Sequence, residues 1–242
     1  MSSPAPIDSR PDGRRSAAAA RRRRREAEIL RATRDLFDAR GVRDAQIEDI
    51  ARAVGINRAI IYRHFTGKEE LFALTLAGYL DELQGRLTVA GAGHGSGASP
   101  GSGTADPVAR LRAITEAFVD YGLEFPAFVD CALTLMGRPG PELLDEVSEG
   151  AMLRLGRSIS GCLARVVEVV RAGVEAGIFH TDDVDLLANT LYATGLGGLQ
   201  LARVGMLVKE SAPGIPTTAR LSAEQVKEHL VASSIAMAVG AP

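Results

Sequence analysis

Two stretches of this chain carry side chains whose types and spacing suit chemistry. The first is Gln46–Phe65, where a short apolar helix pattern, the turn Gly55-Ile56-Asn57 and a second short pattern fit within 20 residues, the spacing of a helix-turn-helix. Ile47, Ile50, Ala51, Val54, Ile56, Ile61 and Phe65 can all face inward against Ile29 and Leu36. That leaves Arg58, Ala59, Ile60, Tyr62, Arg63 and His64 outward on the second helix. Cations and hydrogen-bonding groups beside small residues suit a DNA groove: Arg58 or Arg63 can read guanine edges, while Tyr62, His64 and Lys68 can position phosphates. A helix opening at Lys68 also presents backbone amides to a phosphate. The plainer alternative is a small three-helix domain with a solvated basic face. The second stretch, Gly97-Ala98-Ser99-Pro100-Gly101, matches the nucleophile elbow of hydrolases as letters, with His180 and His229 downstream. An elbow needs a strand before it and a helix after it, but Ser99 is centred in a Gly/Ser/Pro stretch. The four histidines make no metal-ligand spacing, and no phosphate-binding loop or dinucleotide fingerprint is present. The expectation is no catalytic residue, no metal and no cofactor.

Composition sharpens this. The 242 residues are 46% hydrophobic and 24% charged, with a net charge of −2, which describes a globular chain long enough for one large or two small domains. The average hides an asymmetry: Met1–Lys68 holds 16 Lys and Arg against 9 Asp and Glu, or +7, whereas Glu69–Pro242 holds 12 against 21, or −9. A basic module for a polyanion joined to an acidic body follows. The apolar run Ala17–Ala20 is too short for an export signal. The best membrane candidate, Leu186–Val208, is interrupted by Asn189, Gln200 and Arg203. Cys131 and Cys162 sit in apolar helical patterns and read as small hydrophobes, so a reduced, cytoplasmic protein is expected.

The elements needed to position the basic face are helical, and the periodicity predicts an all-α chain of about nine helices. Residues 1–20 lack apolar periodicity and are expected to be a disordered basic arm, with helix beginning at Arg21–Arg25. Ile29, Thr33, Leu36 and Phe37 form one stripe, closed by Gly41. Gly55 should end the second helix and Asn57 cap the third. Thr66-x-x-Glu69 reads as a capping box opening a fourth helix to about Gln84. Seven glycines within Gly85–Pro107 predict a flexible linker. Beyond it, Asp106-Pro107 and Ser222-x-x-Gln225 mark helix starts, and Pro139-Gly140-Pro141 marks a turn. A helix is expected from Val184 to Val208, then a loop from Ser211 to Leu221, with no strand anywhere. The domains are 1–20, 21–68 and 69–242. In the last, apolar stripes exceed what a slim bundle needs, so a cavity between helices is the default small-molecule site. Its polar candidates are Tyr121, Asn189, Tyr192 and Gln200, with Cys131 and Met136 as softer contacts. Gly195, Gly198 and Ala202, with the final helix, are the expected surface for a second copy.

The run Ile47–Phe72, with its elements Ile50-Ala51, Gly55-Ile56, Tyr62-Arg63-His64-Phe65 and Lys68-Glu69-Glu70-Leu71-Phe72, resembles the N-terminal domain of TetR-type transcriptional regulators. The likeness covers roughly residues 25 to 80. It implies an all-helical homodimer with a three-helix operator-binding domain and a larger body that takes a small-molecule effector. Carried over, the family's DNA contacts fall on Asn57, Arg58, Ala59, Ile60, Tyr62, Arg63, His64 and Lys68. Ala45 stands where a capping Thr is usual, so Asp44 or Gln46 must take the cap, and Gln46 joins the DNA-binding set. Ile60 replaces a usual Thr or Ser and is placed to meet a thymine methyl. Replacing operator thymines by uracil should therefore weaken binding at one step per half-site; unchanged affinity in a gel-shift titration would refute the contact.

Overall fold

A computed structural model describes residues 12–93 and 106–240. Its elements are α1 (Asp12–Arg40), α2 (Ile47–Val54), α3 (Arg58–His64), α4 (Lys68–Gly93), α5 (Pro107–Glu124), α6 (Pro126–Met136), α7 (Gly140–Glu146), α8 (Glu149–Glu175), α9 (Val184–Val204), β1 (Met206–Ala212), β2 (Ile215–Arg220) and α10 (Ala223–Val239).

Two cores organise these helices. The smaller gathers Ile29 of α1, Ile47, Ile50 and Ala51 of α2, Ile61 and Phe65 at α3, and Leu71 of α4. The larger runs along α4 through Phe72, Leu76, Leu80, Leu83 and Leu87 and is closed by α5, α6, α8, α9 and α10. Arg34 of α1 ties the two together: it donates to Glu82 of α4 (2.6 Å) and lies 4.3 Å above the Tyr79 ring. The predicted caps at Asn57, Asp106 and Ser222 are all present, each side chain accepting from a backbone amide of the first turn.

Several expectations are corrected. Helix α1 starts at Asp12, not near Arg21, so the expected disorder fails for residues 12–20; residues 1–11 lie outside the described part. Alanine and arginine are strong helix formers, which carries α1 back through Ala17–Ala20 without any apolar stripe. Helix α4 continues to Gly93 rather than ending near Gln84, because Leu87 extends the buried stripe one turn beyond Leu83; the rest of the expected linker, 94–105, lies outside the described residues. The acid at the start of α4 is Glu70, not Glu69: its carboxylate accepts from the Thr66 amide (2.5 Å) and hydroxyl (2.7 Å). The turn at Pro139–Pro141 contains the start of α7, which brings the helices to ten among the described residues.

The absence of strands is also overturned. Gly205, at φ +67°, stops α9, and Met206–Arg220 forms an antiparallel hairpin with Val208 opposite Thr218 and Gly214 at its turn. The signal was the Pro213-Gly214 dipeptide between β-branched residues, masked by the apolar run leading out of α9.

Close approach in the body depends on glycines. At Gly173 of α8 an added Cβ would lie 2.0 Å from the ring of Phe179, and at Gly195 and Gly198 it would strike Phe118 and Leu230. The last two therefore seat neighbours within the chain, not a second copy as expected. Gly173→Ala should lower stability by about 2 kcal/mol despite alanine's better helix propensity, because a ring sealed in the core has nowhere to move; urea unfolding checks this, with Phe179→Leu as the relieving second change.

Candidate nucleic-acid interface and cavity

The α2–α3 unit presets its outer face. Gly55 at φ +70° turns the chain sharply, and Asn57 Oδ1 accepts from the Ala59 amide (2.9 Å), which starts α3 at Arg58. With Ile61 and Phe65 buried, α3 has one possible orientation, and Arg58, Ala59, Tyr62 and Arg63 stand exposed while Ile60 is half-buried. Gln46 occupies the cap of α2, its amide donating to Asp49 (3.4 Å), while Ala45 is buried and Asp44 takes no part. Lys68 is half-buried at the head of α4, its ammonium 5.2 Å from the Phe72 ring.

Two of these residues are already engaged. Arg58 donates to Glu48 (2.8 Å), and that hydrogen bond holds the Glu48 carboxyl below the ordinary carboxylate range. His64 is turned inward, its Nδ1 lying 3.2 Å from Glu26 Oε1, the same oxygen that accepts from Arg22. His64 therefore joins α3 to α1 and is half-buried, whereas Arg63 is exposed.

The sequence sets Arg21–Arg25 at the start of the helix-turn-helix domain without relating them to α3; the structure brings them beside it. Arg21, Arg22, Arg24 and Arg25 line an open groove whose other wall is Ile60, Arg63 and His64. The signal available was the helix propensity of residues 12–25, which extends α1 and fixes those arginines at helical spacing.

In the body, a cavity opens between α4, α5, α8, α9 and α10. Its wall is mostly aliphatic, with Leu83, Leu87, Leu111, Ile114, Phe118 and Val166 prominent. The cavity holds about 50 Å³, so it is a narrow slot that suits a slender or flat apolar body. Cys162 donates to the Leu80 carbonyl (3.2 Å), and Thr115 and Ser234 bond back to their own helices. Of the six ligand candidates only Tyr192 lines this cavity, stacked edge-on against Phe118. Tyr121 is sealed in the core, donating to the Tyr79 carbonyl (2.9 Å), and Cys131 is buried without lining the slot. Met136, Asn189 and Gln200 are exposed on outer helix faces. Apolar periodicity could not separate these cases, since sealed, lining and outward positions on helices of a two-sided bundle share similar spacing.

Residues 29–75 match the family described as bacterial regulatory proteins, tetR family. The chain is 26% identical over 203 residues to the HTH-type transcriptional repressor KstR2 of Mycobacterium tuberculosis, covering 82% of this chain and 86% of that one. It is 31% identical over 109 residues to the HTH-type transcriptional activator FasR of Mycolicibacterium smegmatis, 45% of each chain. Among solved structures, RolR in complex with resorcinol superposes with a TM-score of 0.63 at 17% identity, covering 91% and 90% of the two chains. The ketosteroid transcriptional regulator KstR2 of Mycobacterium tuberculosis does so with a TM-score of 0.51 at 25% identity, covering 87% and 93%.

Each phosphate contact adds to the salt dependence of binding, with a slope of about −0.9 per contact on duplex DNA. Replacing Arg21–Arg25 together by alanine, which keeps α1 helical, should flatten the slope of log affinity against log salt by about two to four while preserving the order of preference among DNA sites. Arg63→Ala should instead lower discrimination between sites by about tenfold, the cost of one base-edge contact. Fluorescence anisotropy at several salt concentrations separates the two.

Proposed function

We propose that this chain, which belongs to the TetR family of helix-turn-helix transcriptional regulators, represses from a palindromic operator and is released when a largely apolar small molecule enters the cavity of its body. The observation that carries the reading is the exposed face of α3, with Arg58, Tyr62 and Arg63 outward, beside a groove lined by four arginines of α1. In this reading residues 21–68 form the DNA-binding domain, lengthened by the basic turns of α1, and residues 69–242 bind ligand and dimerise. Asn57, Arg58, Ala59, Ile60, Tyr62, Arg63 and Lys68 meet DNA; Gln46 caps α2 at its edge, and His64 braces α3.

Repression is favoured because the relative named as a repressor aligns over most of both chains. Activation is the second reading, and its support is the partial likeness to a protein named as an activator. Dimerisation through α9 and α10 is supported by apolar side chains left exposed there, Leu186, Leu201, Val204 and Val239. A two-fold pair of such surfaces is self-complementary and would hold two α3 helices at a fixed separation. Leu83 and Leu87 line the cavity and Leu71 belongs to the smaller core, all three on α4. A ligand that parts the cavity walls therefore shifts the population of α4 orientations and with it the spacing of the α3 pair.

Footprinting on the DNA flanking its own gene should show a discrete protected palindrome with half-sites about 34–36 Å apart or a multiple of that distance. Protection should be lost on adding cell extract that contains the ligand. Uniform protection along the fragment would replace the reading with a non-specific binder.

A further inference from the structure

Beside the apolar cavity, and sharing Leu87 and Ile114 with it, lies a second recess lined by Arg110 of α5 and by Arg165 and Glu168 of α8. One carboxylate serves both guanidinium groups: Glu168 accepts from Arg110 at 2.7 Å and pairs with Arg165 at 3.2 Å. Arg110 also donates to the Gly91 carbonyl (3.2 Å), which leads its side chain over the end of α4. Arg165 is less well provided for. Its Nε–H is buried and has no acceptor among the described residues.

A buried donor without an acceptor costs about 1–3 kcal/mol, more on a charged group, and such sites are rare enough to ask what fills them. Residues 94–105, which join α4 to α5, contain no Asp or Glu, so they bring no counter-charge to the arginines. The surrounding surface adds Arg171 and Glu175, so the recess and its rim carry three arginines against two glutamates. Guanidinium groups present paired N–H donors that match the oxygens of a carboxylate or phosphate. The cavity itself has no charged lining residue, so it accepts only the uncharged part of a ligand.

We infer that the effector is an anionic amphiphile, with a slender apolar body in the cavity and a carboxylate or phosphate head held between Arg110 and Arg165. This rests on the cavity being the effector site and narrows the class of ligand it takes. The head completes the hydrogen bonding of Arg165 Nε, and Glu168 stays at the rim as the group that offsets the arginines when the site is empty.

The test compares octanoate with 1-octanol, which share a chain length and differ in the head, by isothermal titration at pH 7.5 with the full chain. Octanoate should bind at least about tenfold more tightly. Arg165→Met should remove that preference while leaving the affinity for octanol unchanged, and Glu168→Gln should strengthen octanoate binding severalfold. Octanol binding reports that each variant keeps a folded cavity. Equal affinity for the two ligands in the unaltered chain, or a preference that survives Arg165→Met, overturns the inference and leaves the cavity reading intact. Failure of both ligands to bind overturns the cavity reading, and this inference with it.

Discussion

Helix α4 belongs to both hydrophobic cores, and the placement of everything else follows from that sharing. Leu71 is sealed among the residues of α1, α2 and α3, while Phe72 to Leu87 carry the body. At 26 residues the helix is a rod of about 39 Å. Its first turn is fixed by a buried carboxylate. Glu70 accepts from the Thr66 amide and hydroxyl and from the Ser148 hydroxyl at the head of α8. Burial alone would raise its pKa, but the hydrogen bonds from Ser148 and Thr66 outweigh that and hold the carboxyl below its ordinary range. Thr66 Oγ1 also reaches the Glu146 carbonyl (3.0 Å) at the end of α7. The turn that follows α3 is thus bonded to the body at the same point where α4 leaves it.

Electrostatics are arranged around that rod in two separate regions. At one end the arginines of α1 and Arg63 of α3 line an open groove, with Glu26 and Glu28 tempering the density of like charge. Arg34 and Arg86 occupy the middle, each paired with Glu82 and each set over an aromatic ring, Tyr79 and Tyr121 respectively. These pairs take up positive charge where the body packs against α1. A net charge of −2 is compatible with binding a polyanion because the charges are sorted in space.

Legibility in the sequence tracked the range of the interactions involved. The α2–α3 unit could be read residue by residue because its determinants are local: a left-handed glycine, an Asn cap and apolar side chains four apart. Caps at Asp106 and Ser222 were legible for the same reason. Apolar periodicity understates the length of α1, because an exposed helix of alanine and arginine needs none. His64 looked outward by its spacing on α3, but its partner Glu26 is 38 residues away. Ligand candidates fared worst. Whether a tyrosine on a bundle helix is sealed, like Tyr121, or lines a slot, like Tyr192, depends on the residues opposite it on other helices, which spacing along one helix does not encode.

The two cysteines have a consequence of a different kind. Both are buried, and burial pushes their thiols upward, that of Cys162 to about 12. A thiol that stays protonated is a poor nucleophile and a slow target for peroxide or disulfide exchange. Neither side chain is poised to react readily with an oxidant. The same burial makes the native fold silent to thiol-directed dyes, and a single cysteine introduced on the exposed face of α3 would report on that face alone.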